Sequence, residues 1–327
     1  MKNTVKIIAL VLSVIFVLGL VACAPQPDSE LEVRVTVLSG TTGMGMAKLI
    51  SESKSEKAAL NYNFSIVSDA TQVSAGILGG NIDIAAVPTN LASTLYNKTN
   101  GGVQVLAISN LGVLYLLEKG NSVESLGDLQ GKTISIPGQG TNPEFILRHV
   151  LQENGLTVGE DVFFDYTYST PDTLSSALAG GFVDIALLPE PKVTAVKSQN
   201  AEIRTAIDLS VEWEKVSLKG SLAQGCIIVR KEFLDAHPVE VEAFLKEYRR
   251  SVEFVNEDID AASELIAEAG IIPRAPLAKK AIPNCNIKYV DGDAMKAALT
   301  EFYSVLFELD PKSIGGKLPD DGLYYKK

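Results

Sequence analysis

From Leu31 onward the spacing of apolar residues switches repeatedly between two periods. Val33-Arg34-Val35-Thr36-Val37-Leu38 is β-branched at every second position and predicts a strand. Ser39-Gly40-Thr41-Thr42-Gly43-Met44-Gly45 then turns the chain into a helix whose Met46, Leu49 and Ile50 keep the spacing of a buried face. The same order returns at Lys132-Thr133-Ile134-Ser135-Ile136, a strand followed by Pro137-Gly138-Gln139-Gly140-Thr141-Asn142-Pro143-Glu144. Thr141 with Glu144 three residues on predicts a capping box, with Pro143 in the first helical turn and Phe145, Ile146 and Val150 on the apolar side. Residues 103–109 and 113–117 are expected as strands of the first unit, and 225–230 as a strand returning to it. Residues 238–255 and 294–309 predict amphipathic helices.

The pattern also repeats at long range. Residues 68–88 align without gaps on 169–189, and eight of the 21 pairs are identical, including Gly79/Gly180, Gly80/Gly181, Asp83/Asp184 and Pro88/Pro189. Each copy reads as a capped helix, a Gly-Gly stop and a short buried strand ending in proline. One such correspondence over this distance means two α/β lobes of similar topology, not a solenoid. The expected boundaries are residues 31–118 for the first part of lobe one and 119–220 for lobe two. Residues 221–327 bring the return strand and C-terminal helices back to lobe one, so two segments cross between the lobes.

Composition fits this picture. The chain has 327 residues, 46% hydrophobic and 21% charged, which suits a folded two-domain protein. Its 29 basic and 40 acidic residues give a net charge of −11, against a nucleic-acid partner. Two histidines and three cysteines, without Cys-x-x-Cys or His-x-x-x-His spacing, predict no metal site and no cofactor. Gly40-x-x-Gly43-x-Gly45 has the wrong order for a dinucleotide loop, and no phosphate-binding P-loop motif occurs. No catalytic residue is expected. His149 and His237 read as surface or cap residues, and Asp83 and Asp184 as turn-fixing residues where strands begin.

The first 22 residues read as an address. Lys2 and Lys6 precede a fourteen-residue apolar run at 7–20, shorter than the roughly 20 residues that span a bilayer, and the run ends in Leu20-Val21-Ala22-Cys23. Residues 1–22 are expected to be a signal peptide and 23–30 a flexible tether rich in proline and polar residues. Cys226 and Cys285 are then either a disulfide or two buried thiols, which spacing does not decide.

In open α/β sheets, ligands gather where strands end and helices begin. Four such loops are expected: Gly40-Thr41-Thr42-Gly43, Pro88-Thr89-Asn90, Gly138-Gln139-Gly140-Thr141-Asn142 and Pro189-Glu190-Pro191. They carry hydroxyls, amides and one carboxylate, with no basic residue. Trp213, the single tryptophan, either stacks on a ligand or plugs the second lobe.

Leu20-Val21-Ala22-Cys23 resembles the lipobox of bacterial lipoproteins, which implies cleavage before Cys23 and acyl chains on it. Together with the doubled lobes, Leu126-Gly127-Asp128-Leu129-Gln130-Gly131-Lys132, Gly138-Gln139-Gly140-Thr141 and Glu190-Pro191 resemble the extracytoplasmic solute-binding proteins of ABC importers. The branch is the one for nitrate, taurine, aliphatic sulfonates and thiamine-pyrimidine precursors. The resemblance implies a type II periplasmic-binding fold, each lobe a mixed sheet flanked by helices, with a ligand cleft between them. It implies a monomer held at the outer face of the cell membrane, passing a small molecule to a permease and its ATPase. The matching ligand positions are Thr41, Thr42, Asn90, Gln139, Gly140, Thr141, Asn142 and Glu190, to which the residue reading adds Trp213.

Glu190 at a helix N-terminus would repel an inorganic oxyanion, unless it merely caps its own helix. The expected ligand is therefore neutral or zwitterionic, such as an aminopyrimidine or aminosulfonate, with Tyr166, Tyr168 or Trp213 stacking on it. The alternatives are an enzyme of thiamine-pyrimidine metabolism on the same fold, which lacks a matching cysteine or metal cluster here, and a ligand-sensing lipoprotein.

Overall fold

The computed structural model describes residues 26–218 and 220–326, so the expected signal peptide, Cys23 and the start of the expected tether lie outside the described residues. Strands β1 (Glu32–Leu38), β2 (Asn61–Val67), β3 (Ile84–Pro88) and β4 (Val103–Asn110) enter a first sheet. β5 (Leu114–Lys119), β6 (Thr133–Ser135), β7 (Phe163–Asp165), β8 (Ile185–Pro189) and β9 (Ile203–Asp208) make a second. β10 (Gly225–Arg230) and β11 (Ile287–Val290) return to the first. Burial explains the order. β3 reads Ile-Ala-Ala-Val-Pro and its first four residues are buried, as a strand covered on both faces requires. β2 exposes Asn61, Asn63 and Ser65 between inward residues and lies at an edge.

The two sheets share one plan. The first runs β2-β1-β3-β10-β4, with β11 added at its edge, and the second runs β7-β6-β8-β5-β9. In each, the repeated strand pairs parallel with one neighbour and antiparallel with the other: β3 with β1 and β10, β8 with β6 and β5. The antiparallel strand always comes from chain that has just left the other sheet. β4 ends at Asn110 and β5 begins at Leu114, so the first crossing is residues 111–113. The expectation that 113–117 belongs to the first unit is therefore corrected: β5 holds in the second sheet the place that β10 holds in the first. Three residues between two apolar runs look like a hairpin, and only the other sheet reveals the exchange.

Local chemistry at the repeat has diverged. Asp83 is buried and accepts from the Arg34 amide and guanidinium and from Arg230, at 2.6–3.0 Å, tying the start of β3 to β1 and β10. Asp184, its counterpart, is exposed. The capping box is also corrected. The helix Asn142–Glu153 has Thr141 as N-cap, but the Thr141 hydroxyl donates to Gly138 O, and Glu144 accepts from the Gly140 amide at 2.6 Å. The box residues brace the preceding glycine loop instead.

One apolar cluster runs through both lobes. Trp213, on the helix Leu209–Val216 of lobe two, is 1% exposed and packs its ring 5.9 Å from Phe302 on the lobe-one helix Gly292–Leu309 and 5.0 Å from His149. Fully burying a large apolar side chain contributes about 1.5–3 kcal/mol, so this seam joins the lobes on one side of the cleft. Trp213 is thus the plug, and His149 is half-buried with its pKa lowered by burial. Cys226 and Cys285 are both free and buried.

Candidate ligand-binding cleft

β1, β3, β4, β6, β8 and β9 all end toward the space between the sheets, and helices start there at Thr41, Thr89, Asn142, Lys192 and Leu209. After β1 the chain turns through Gly40, at φ 91°, into the helix Thr41–Met44. A Cβ on Gly43 would stand 2.5 Å from Leu38 O, so only glycine lets this turn fold back on its strand.

Thr41 closes the cleft at one point. Its hydroxyl donates to the Glu190 carbonyl oxygen of the other lobe at 3.0 Å and lies 3.7 Å from Cys285 Sγ. All three residues are buried. Nearby, the Tyr115 hydroxyl of lobe two donates to Asn284 O of lobe one at 2.9 Å. Asn286 Nδ2 donates to Gly112 O at 2.6 Å, and Leu111 N to Asn286 O at 3.0 Å. The segment 284–286 therefore touches lobe two through Asn284 and the first crossing through Asn286, while Cys285 between them faces Thr41 of its own lobe. Gln224, on the second crossing, faces the first crossing and accepts from the Val113 amide at 2.5 Å.

The expected loop residues divide into two groups. Thr42 and Asn142 are half-buried, and the Asn142 Oδ1 is buried without a partner among the described residues, as is Ser210 Oγ at the start of the neighbouring helix. A buried acceptor without a partner costs about 1–3 kcal/mol, so such atoms mark where a bound molecule or water is wanted. Gln139 and Gly140 are exposed on the loop that Glu144 braces. Thr141 is spent on Gly138, and Asn90 Nδ2 reaches Ser313 O at 3.5 Å within lobe one.

Glu190 departs from its expected posture. Its carboxylate accepts from Thr194 N at 3.1 Å and Thr194 Oγ1 at 2.9 Å, turned into its own helix, Lys192–Gln199. Burial pushes its carboxyl up, against the hydrogen bonds of Thr194 and Asn284 that pull it down. The premise that a carboxylate faces the ligand is overturned, and only the carbonyl reaches across. The expectation of no cation is also incomplete, because the helices supply what the loops lack. A cavity of about 480 Å³ beside the closure point is lined by Tyr115, Glu190, Lys197, Asp208, Lys280 and Asn284. Lys197 belongs to lobe two and Lys280 to lobe one. Tyr168 lies elsewhere, against Phe182 on the outer flank of lobe two, and Tyr166 packs 6.4 Å from Phe164, its phenol raised to about 12 by burial and by its hydrogen bond to Glu144.

The sequence reading missed Asn110, Tyr115, Ser210, Gln224, Asn284 and Asn286. For Asn110 a signal was present: Ser109-Asn110 is a polar pair closing an otherwise apolar strand, as Pro88-Thr89-Asn90 follows β3. Among the described residues no group of three or more His, Cys, Asp and Glu is placed to hold a metal, and no helix is long and apolar enough to cross a membrane.

None of the curated proteins compared matches this sequence. Among solved structures, an ABC transporter protein from Parabacteroides distasonis is 23% identical, with a TM-score of 0.77 over 92% of this chain and 100% of that one. The periplasmic aliphatic sulphonate binding protein of Escherichia coli is 16% identical, TM-score 0.71, over 93% of each chain. The alkanesulfonate-binding protein of Xanthomonas axonopodis pv. citri, bound to MOPS, is 14% identical, TM-score 0.63, over 91% and 97%. These likenesses establish the two-lobe periplasmic-binding fold across nearly the whole chain. The family model described as NMT1/THI5 like matches residues 101–262, from β4 through both crossings into the C-terminal helices, so that segment is similar to the NMT1/THI5-like family.

Proposed function

We propose that this protein is the solute-binding component of an ABC import system, anchored through lipid on Cys23 at the outer face of the membrane, and not an enzyme. The observation that carries the reading is the Thr41–Glu190 bond, which joins the two lobes across the cleft beside the first crossing. Closure over a solute, followed by recognition of the closed form by a permease, is a population shift between two states. The named functions of the structural neighbours, sulfonate binding in ABC transport, support the same class.

The solute we favour is a small neutral or zwitterionic organic molecule, an aminosulfonate or an aminopyrimidine. The reason is now the cavity with charges of both signs, Lys197 and Lys280 against Asp208, rather than a repelling carboxylate. The ligand positions proposed are Thr42, Asn142 and Ser210 together with that cavity. Isothermal titration with taurine, an alkanesulfonate, a hydroxymethyl aminopyrimidine, nitrate and sulfate tests it. Binding of taurine or the pyrimidine, weakened by Lys280→Ala, is expected; tight nitrate binding indifferent to that change overturns the solute class. Cys23→Ser is expected to leave an unprocessed precursor or release the protein from membranes, and unchanged processing would refute the anchor.

A further inference from the structure

The tether does not leave the folded body as a loose string. The Asp28 amide donates to Glu240 Oε1 at 2.9 Å, across 212 residues of sequence, and Glu240 is 7% exposed in the first turn of the helix Pro238–Glu257. Asp28 Oδ1 in turn accepts from the Glu30 amide at 2.9 Å, a local turn that aims the chain into β1. Gln26 and Pro27 line a groove of about 730 Å³ with Pro238, Val239, Lys246 and Arg250 of that helix. The expectation of a flexible tether holds no further than this point, because from Asp28 the chain is fastened.

The fastening is at a definite pole. β1 starts at Glu32 and ends at Leu38 beside the cleft, and its seven residues rise about 20 Å. The clasp between Asp28 and Glu240 therefore sits at the end of lobe one farthest from the cleft. Five residue steps separate Cys23 from Asp28, a reach of about 18 Å at most for extended chain. We propose that the docked tether stands the protein on the membrane by this far pole of lobe one, with the helix Pro238–Glu257 near the lipid surface and the cleft and lobe two held away from it. The inference rests on the reading that Cys23 carries the lipid. It adds that anchoring sets a posture rather than mere proximity, and that Glu240 is the residue that sets it.

The test uses the lipidated protein purified from membranes and reconstituted in phosphatidylcholine vesicles that carry a headgroup energy acceptor. A donor dye is placed at Lys246→Cys on the tether helix, or at Phe182→Cys, which is 78% exposed at the far end of lobe two. The native thiols Cys226 and Cys285 are buried, so labelling is selective. Transfer several-fold more efficient from position 246 than from 182 is expected. Glu240→Ala should narrow that difference, Glu240→Gln should keep most of it, and both variants should retain vesicle binding. Equal transfer from the two sites, or stronger transfer from 182, overturns the posture. Failure of the protein to bind vesicles, with no lipid mass on Cys23, overturns the anchoring reading itself and is seen before any transfer is measured.

Discussion

Thr41 and Glu190, 149 residues apart in the chain, meet through one hydrogen bond of 3.0 Å from the threonine hydroxyl to the glutamate carbonyl oxygen. The bond is made only when the lobes are together. Thr41→Val keeps the shape and removes the donor, leaving a buried carbonyl short of a partner. The closed state should lose about 1 kcal/mol, so solute affinity should fall about fivefold. Solution scattering should show a more open unliganded protein. Cys285 gives a second readout. Its thiol is buried and pushed up by that burial, so it should react slowly at neutral pH, and faster in Thr41→Val. Unchanged affinity and unchanged thiol reactivity would mean that the bond does not control closure.

The first crossing is packed tightly enough to be sensitive to a single carbon. A Cβ on Gly112 would lie 2.3 Å from Ser210 Oγ and 3.1 Å from Ser210 Cβ, with Leu222 Cδ2 at 3.0 Å. Gly112→Ala should therefore wedge residues 111–113 away from the helix Leu209–Val216, at about 1–3 kcal/mol of stability. Calorimetry should show a lower Tm, and scattering an altered lobe angle. Ser210→Gly in the same chain should restore most of the Tm. A double variant no better than Gly112→Ala would place the strain elsewhere.

What the sequence makes legible is whatever depends on neighbours in the chain. The β1 strand announces itself because Val33, Val35 and Val37 alternate, and the lobes because a helix, a Gly-Gly stop and a strand recur in register. The exchange of β5 and β10 between sheets leaves no such trace. It depends on which sheet offers a vacant edge beside β8 or β3, and that is a property of the assembled lobes. Side-chain direction was equally hidden. Glu190 at a helix start is compatible with facing the solute or with binding Thr194 four residues on, and Trp213 with a ligand or with Phe302 89 positions away. Asp83 and Asp184 look equivalent until Arg34 and Arg230 converge on one of them alone. The segment 284–286 shows as Asn-Cys-Asn and nothing more, because its partners come from two distant stretches, Thr41 from one and Gly112 and Tyr115 from the other.

Asp83 gives a prediction about stability that leaves binding alone. Burial raises its carboxyl, but the hydrogen bonds and charges of Arg34 and Arg230 outweigh this and hold it below its ordinary value. A lowered carboxyl stabilises the fold fully above its unfolded pKa and loses that contribution as pH falls through the folded value. Asp83→Asn should cost about 2–3 kcal/mol at pH 7, since two guanidinium groups are left facing a neutral amide. Thermal melts should show the gap between wild type and variant closing in acid below about pH 4. Solute affinity at saturating stability should be unchanged, because Asp83 lies where β3 begins, at the opposite end from the cleft. A large loss of affinity with an intact Tm would contradict this placement.

Glu190 carries the opposite sign. Its carboxyl is raised by burial from an ordinary value of 4.5, so the folded state holds the proton more tightly than the unfolded chain. Stability attributable to this group is greatest in acid and declines as pH rises from about 4.5 toward the folded value. Glu190→Gln removes the ionisation while its amide oxygen can still accept from Thr194 N and its amide nitrogen can donate to Thr194 Oγ1. The variant should melt with wild type near pH 4 and above it at pH 7, and the bond from Thr41 should persist because it uses the main chain. Thr194→Ala should act in the other direction, lowering Tm most at neutral pH, where the carboxylate is left without its hydroxyl donor. A Glu190→Gln protein less stable than wild type at pH 7 would show that the charge is held by Lys197 and the Asn284 amide, and that the carboxylate, not its burial, is what this position selects.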